Sequence, residues 1–437
     1  MKKSIASAVV ILSVMFLVAG LAVAYEPDEH DLGGRTVTFA GHNMHYHEMM
    51  PEGSPTWDRV KAAEEQHNFS LELRFIDGNS VLESVVAAGL AGDDTIDLVQ
   101  LSLRDYVALA TQGALVPLGD ILGDYWENLP PAHQGRDGAR ELFTVGGEVY
   151  AVPIYFGSYQ DIMLIAWNPV LFEDAGLPSL YDLINAGEWT WEKAREIGAQ
   201  LTRDTDGDGA IDQYGFAGMF PSHSMSNTLL ATLATNNVTL TKEVEGKTVV
   251  AIDDGGRASA ILNIVRQIAF EDGSVHPDPW NFDNFKNGKV AMFFAPLWSL
   301  YHTKNENFPQ GIAFLPKGPD ADDYTVGIAN TSLMAVPVTT NEDPKAVIDL
   351  WTAIHPPELI DGDVDFRLSL SEDEEGFYIM LQAVTGYSLL SPYVGILNEQ
   401  NFFSHMWDAV TGAVSPAEAI AAMSPMIQAR LDDLLGQ

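Results

Sequence analysis

The sequence predicts an α/β protein with two domains and mainly parallel sheet. Three observations carry that prediction. The chain has 437 residues and 46% of them are hydrophobic, enough for two cores. Between residues 35 and 112, short apolar runs alternate with helical patterns, the rhythm of strand–helix–strand units. Buried-strand signals return at 162–167, 289–294 and 312–315, set off by glycine and proline breakers.

Residues 35–40 alternate and end at Gly41, a strand feeding a loop. That loop, 42–48, is rich in polar and aromatic side chains. Residues 57–66 read as an amphipathic helix, 71–76 as a strand, 81–90 as a helix and 96–100 as a buried strand. A helix over 104–112 is stopped by Gly113. Ligands of parallel sheets sit beyond the carboxyl ends of the strands, so the loops at 42–48, 77–79 and 101–104 are expected to share one rim. Gly146-Gly147 signals a hairpin. Pro153 and the polar-aromatic stretch after it, then the strand 162–167, suit a crossing between domains. Helices are expected over 168–175, 191–201, 225–235 and 256–270, and Pro316-Lys317-Gly318-Pro319 marks a second crossing. Residues 326–336 are strand-like, 343–354 helical, and the remainder mostly helical, ending with 416–435.

Lys2-Lys3 precede an apolar run, 5–24, that closes on Ala22-Val23-Ala24. A positive start, an apolar core and a small-x-small exit read as a secretory signal over 1–24. Left uncut, the run is long enough to span a bilayer. The exit motif and the polar stretch 25–29, expected to be unstructured, favour cleavage after Ala24. Cysteine is absent, which excludes disulfides, thiolate metal sites, cysteine nucleophiles and a cysteine-borne lipid anchor. The mature chain is expected to be non-lipidated and periplasmic or extracellular, with no membrane-embedded part. A formal charge of −38 repels nucleic acid and anionic lipid, so neither is an expected partner.

Asp204-Thr205-Asp206-Gly207-Asp208-Gly209-Ala210-Ile211-Asp212 carries the strongest chemical signal. Aspartates at alternate positions converge when a loop coils tightly, and Gly209 permits the turn. This is the first half of an EF-hand loop, so a structural Ca²⁺ is expected, with Asp204, Asp206 and Asp208 as direct ligands. Ala210 supplies its carbonyl, Asp212 binds directly or through water, and Ile211 tucks into the core. Gly215 stands where the template has a bidentate glutamate, so that ligand must come from elsewhere or from water. A closed oxygen cage leaves a metal no open position for substrate, so the loop reads as a clip. His42, His45 and His47 with Glu48 raise a rival Zn²⁺ site, although their spacing is not that of a helical pair. The sequence contains no Gly-x-Ser-x-Gly elbow, phosphate-cradling glycine loop or His-Glu-x-x-His motif.

Five motifs then fall in one order. They are Gly147-Glu148-Val149-Tyr150-Ala151-Val152-Pro153, Trp167-Asn168-Pro169, the stretch 204–216, Gly288-Lys289-Val290-Ala291-Met292 with Trp298, and Phe314-Leu315-Pro316-Lys317-Gly318-Pro319. Together they resemble the bacterial extracellular solute-binding proteins of family 1, the maltose-binding-protein-like sugar receptors of ABC importers. The resemblance runs from about residue 33 to the C-terminus. It implies a two-lobed periplasmic-binding-protein-like fold of type II, with a ligand cleft between lobes joined by a multi-strand hinge. Lobe 1 would take 33–160 plus 318–354, and lobe 2 would take 161–317 plus 355–437. The implied function is that of an exported, monomeric substrate-binding protein. It would capture a mono- or oligosaccharide, deliver it to the permease subunits of an ABC importer, and do no chemistry. A secreted calcium-dependent glycan adhesin or a sensor-linked binding protein is the alternative.

The resemblance also implies where ligand is held. Sugars present hydroxyls around flat apolar faces, so a receptor needs aromatic plates and polar groups. Trp298 matches the family's stacking tryptophan. Tyr155, Tyr159 and Gln160 sit at the crossing where the family places pocket residues, and His42 and Asn43 in its first pocket loop. Ser102 and Arg104 follow the third strand, Asn330 and Thr331 lie on the returning segment, and Trp280 is a further candidate that could instead cap a helix.

Overall fold

Strong strand formers bounded by glycine and proline divide between two sheets in the computed structural model. It describes residues 25, 27–42, 52–78, 80–92, 94–134, 136, 138, 140, 143–153, 161–218, 226–328, 331–356, 364–389, 391, 393, 394, 396 and 401–437. Residues 1–24, expected to be a signal segment, lie outside the described residues. In chain order the first strands are β1 (Arg35–Gly41), β2 (Phe69–Phe75), β3 (Leu98–Ser102), β4 (Thr144–Val145), β5 (Glu148–Val149), β6 (Ala151–Pro153) and β7 (Met163–Trp167). They are followed by β8 (Tyr214–Gly218), β9 (Thr241–Val244), β10 (Lys247–Val250), β11 (Val290–Pro296) and β12 (Gly311–Phe314). The last three are β13 (Gly327–Ile328), β14 (Ser332–Ala335) and β15 (Ser388–Leu389).

The first sheet has the order β2-β1-β3-β14-β6 and the second β12-β7-β11-β8. In the first, β1 runs parallel to β2 and β3, as the alternating pattern predicts. The second is less parallel than expected. There β7 runs antiparallel to both β11 and β12, and only β11 with β8 is a parallel pair. The reversal follows from connectivity. β7 enters the second sheet from the first, where β6 ends, so its direction is set by the crossing and not by a strand–helix–strand unit.

Both sheets are covered on two faces, which is why their central strands read as unbroken apolar runs. Every residue of β7 and β11 is buried. In the first sheet Phe39 packs edge-on against Trp351 of the helix Pro344–Ile354, which Asp343 caps. In the second, Trp191 stacks on Phe294 and its indole N–H donates to Thr235 at 2.9 Å. Gly146 and Gly147 both hold positive φ in the turn between β4 and β5, the hairpin expected there.

Two connections join the sheets. One leaves β6 at Pro153 and re-enters at β7, through residues 154–160, which lie outside the described set. The other leaves β12. Its breaker cluster stays bonded to second-sheet helices, since Lys317 bridges Thr190 and Gly318 donates to the Thr235 carbonyl. The chain reaches the first sheet only at Ser332. The helix Glu374–Gly386 packs on β12 and also on the short helix Pro131–Gln134, while Phe402–Thr411 and Pro416–Leu435 pack beside Arg257–Arg266.

The described residues of the stretch 25–29 are not unstructured. Tyr25 packs edge-on against Tyr125 at 4.8 Å, and its hydroxyl donates to Asp349 at 2.5 Å. Asp28 meets Lys345 at 2.7 Å, and the His30 backbone N–H donates to His67. A polar composition hid a segment held by one buried carboxylate.

Candidate functional site

Strand direction decides where ligand groups gather. β1, β2, β3 and β6 run the same way, so Gly41, Phe75, Ser102 and Pro153 end on one rim, with the start of β14 beside them. This is the shared rim expected for the first three loops. His42 is exposed there, its ring 5.9 Å from that of Phe75, itself 47% exposed. Ser102 caps the helix Leu103–Thr111, which carries Arg104, by accepting from the Asp105 N–H, and its hydroxyl reaches the Asp105 carboxylate at 3.0 Å. Thr331 is buried beside β14. Asn43, His45, His47, Glu48, Tyr155, Tyr159, Gln160 and Asn330 lie outside the described residues.

The second sheet has a matching rim. The ends of β12, β11 and β8 and the start of β7 lie together, because Pro296 pairs with Met163, Phe294 with Gly218 and Phe314 with Leu164. Beyond Pro296 the chain turns into a 3₁₀ helix, Leu297–Thr303. Leu297, Ser299, Leu300 and Thr303 face inward, which turns Trp298 outward at 39% exposure. Among the described residues no aromatic ring packs against its indole. Trp280 is also exposed and does not cap a helix, since Asn281 caps Phe282–Lys286.

Asp161 escaped the sequence reading. It lies two residues before β7, and the carbonyl of the next residue accepts the Leu297 N–H, which places this stretch of backbone beside the start of the 3₁₀ turn. Burial pushes that carboxyl up to about 7. A lone acid abutting a wholly apolar run was the signal available. The native state therefore keeps the proton between about pH 4 and 7 while the unfolded chain has lost it, so this group's contribution falls as pH rises through that window. Asp161→Asn is expected to remove that slope. Melting midpoints at pH 5 and pH 8 should differ less in the variant than in the parent, and an equal difference would show that the acid is solvated.

The aspartate loop closes as a chain of side-chain-to-backbone turns. Asp204 accepts the N–H groups of Asp206, Gly207 and Gly209, Asp206 that of Asp208, and Asp208 that of Ala210. These bonds, led by Gly209, hold the Asp204 carboxyl below its ordinary range. Carboxylate oxygens of Asp204, Asp206 and Asp208 lie within 4.8 Å of one another. Asp212 is turned elsewhere, accepting the N–H and hydroxyl of Thr205. Ile211 does not tuck into the core but is 44% exposed. Gln213 turns inward instead, donating to the Leu201 carbonyl, because Arg203 and Gln213 pair at the neck of the loop.

Two sheets, each with its strand ends gathered on one rim, and an exposed indole beyond the second rim are the geometry on which the comparisons bear. A family model described as bacterial extracellular solute-binding protein matches residues 49–353, well over half of the chain. The chain belongs to that family. Its fold is shared by an ABC substrate-binding protein of Listeria monocytogenes in complex with cycloalternan, at 13% identity and TM-score 0.62, over 92% of this chain and 99% of the other. A sugar transporter protein of Rhizobium etli in an open conformation matches at 15% identity and TM-score 0.63, covering 90% and 99%. The maltose/maltodextrin-binding domain of Bdellovibrio bacteriovorus bound to maltotriose matches at 14% and 0.59, covering 92% and 100%. At these identities the likeness is one of fold. No functionally curated protein matches the chain. Among the described residues no helix is long and apolar enough to cross a membrane.

Proposed function

We propose that this solute-binding protein is the exported receptor of an ABC importer, and that it captures a neutral carbohydrate between its lobes. The half-exposed Trp298 at the second rim carries the reading. An exposed indole just beyond β11, with no ring packed on it among the described residues, offers a plate for a sugar's C–H face. His42 and Phe75 stand together on the rim of the first sheet. Ligand touching both rims only in the closed form favours closure by its differential affinity, which is the signal a permease reads. The protein acts as a monomer, outside the inner membrane and without a lipid anchor, and does no chemistry. The strong negative charge favours a neutral ligand over a phosphorylated one.

In the same reading a Ca²⁺ ion sits among Asp204, Asp206 and Asp208 and clips the second lobe. The donor set suits a hard cation, since all the groups are carboxylate oxygens gathered at one point. One thermal-shift experiment tests both parts. A sugar at a hundred times its dissociation constant should add about 2.7 kcal/mol, a rise of about 5 °C at this size. Trp298→Ala should abolish that rise. EDTA should lower the midpoint of the ligand-free protein while sugar still shifts it. Silence across neutral sugars rejects the carbohydrate reading, and an EDTA-insensitive midpoint rejects the ion.

A further inference from the structure

The described residues from Tyr25 to Gly34 lie against helices of the first sheet as a strap with two anchors. The first anchor is the carboxylate of Asp349, fully buried on the helix Pro344–Ile354. It accepts from the Tyr25 hydroxyl, meets His30 Nε2 at 2.7 Å, and pairs with Lys345, which also holds Asp28. The second anchor is the end of the helix Pro55–His67, where Asn68 turns the chain into β2 at φ 50°. There the Leu32 N–H donates to the His67 carbonyl, and the Gly34 N–H to that of Asn68. Gln66 donates to Glu29 at 3.1 Å beside them.

The His67 ring sits inside this second anchor and is 1% exposed. Its Nδ1 accepts the backbone N–H of His30 at 3.1 Å. A ring nitrogen accepts only through its lone pair, so the docked strap requires a neutral His67 with its proton on Nε2. Acid places a second proton on Nδ1. Two N–H groups then face each other, the His30 amide loses its acceptor, and a charge is stranded away from water. From the strap the ring faces His30 and Glu29, and from the helix Pro344–Ile354 it faces Asp349. Burial pushes the His67 pKa below histidine's ordinary value, and a charged His30 adds to that, while Glu29 and Asp349 pull the other way without prevailing. The His30 ring answers acid differently. Neutral or charged, it presents an Nε2–H to the Asp349 carboxylate, so that contact survives a proton.

We propose that this N-terminal stretch is an acid-released strap, and that protonation of His67 at Nδ1 is what releases it. It holds whatever the cleft binds. The docked strap keeps the proton off His67, whereas release frees the ring to titrate near its ordinary value of about 6.5. Docking is therefore full above that pH and weakens as pH falls below it, by up to about ten-fold per pH unit. Release uncovers Asp349 and Tyr125, and with them the helix whose Trp351 braces Phe39 of β1. Acid loosens the cover of the first sheet and leaves the second sheet alone.

The test is amide hydrogen exchange of the exported protein at pH 7.5 and pH 5.5, with the intrinsic chemical rate divided out. The opening constant of the His30 and Leu32 amides is expected to rise about five-fold between the two, while amides of β11 hold constant. His67→Asn keeps an acceptor that does not titrate, and should flatten the rise. His30→Gln keeps the backbone donor, and should preserve it. A flat parent overturns the strap, and so does a rise that survives in His67→Asn or disappears in His30→Gln alone. Nitrogen NMR of the His67 ring in the parent decides the matter where a variant fails to fold. A bare Nδ1 at pH 7.5 that gains its proton as the strap opens supports the release, and a proton on Nδ1 at pH 7.5 overturns it. Melting midpoints would hide the effect, because Asp161 moves stability the other way over the same range.

Discussion

Gly215→Ala is expected to cost about 3 kcal/mol and to lower the melting midpoint by about 6 °C. Gly215 lies in β8 where the strand crosses the helix Trp191–Leu201 at Gly198. A Cβ on Gly215 would stand 2.5 Å from the Cα of Gly198 and 2.7 Å from its carbonyl carbon. These are backbone atoms of a helix whose Trp191, Ala194, Ile197 and Leu201 are all buried, so no flexible side chain can yield. A Cβ on Gly198 would in turn meet the Phe216 ring, 2.6 Å from Cζ. Helix and strand must part to admit either methyl, and Phe216 and Phe294 beneath them would lose contact. The same contact explains the incomplete aspartate loop. Its twelfth position cannot carry a glutamate, because the chain has by then entered a strand pressed against helix backbone. Gly215→Glu, which completes the template on paper, should yield no folded second lobe. Calorimetry of the alanine variant decides the case, and a midpoint within 1 °C of the parent would mean that the two elements are not in contact.

Much of this architecture was legible because local rules and tertiary demands agree. Apolar runs at β1, β3, β7 and β11 mark strands covered on both faces, and the helices expected over 343–354 and 416–435 form as Pro344–Ile354 and Pro416–Leu435. The aspartate spacing brought Asp204, Asp206 and Asp208 together as read. What escaped depends on contacts distant in sequence. The direction of β7 is set by a crossing, which no periodicity encodes. Ile211 looked like a core anchor by template, but the bridge between Arg203 and Gln213 settles which side chain turns in. Asp161 carries no motif, and its chemistry comes from the desolvation that folding imposes on it.

Asp349→Ala is expected to cost about 3 kcal/mol or somewhat more, because it strands a buried network. Asp349 is fully buried on the helix Pro344–Ile354 and receives three partners from two directions. Tyr25 donates at 2.5 Å, His30 Nε2 stands at 2.7 Å, and Lys345 contributes an ion pair at 2.8 Å. Burial, with the Asp349 hydrogen bond adding to it, pushes the Tyr25 hydroxyl up to about 12, so it is a donor at every physiological pH. Burial opposes the charge on Lys345, yet its bonds to Asp28, Asp349 and Tyr25 lift it above lysine's ordinary range. Without the carboxylate, the Tyr25 hydroxyl and the His30 ring lose their partner and Lys345 keeps only Asp28, so the segment from Tyr25 to His30 is left with that pair, the bond to His67 and the ring contact with Tyr125. Removing residues 25–30 should therefore destabilise by a comparable amount, exposing Tyr125 and His67. Because both changes dismantle one network, the combined variant should melt near the worse of the two and well above the additive sum. Urea titration of the parent, the two variants and their combination measures the coupling. Strict additivity would mean that the N-terminal segment is held by something other than Asp349.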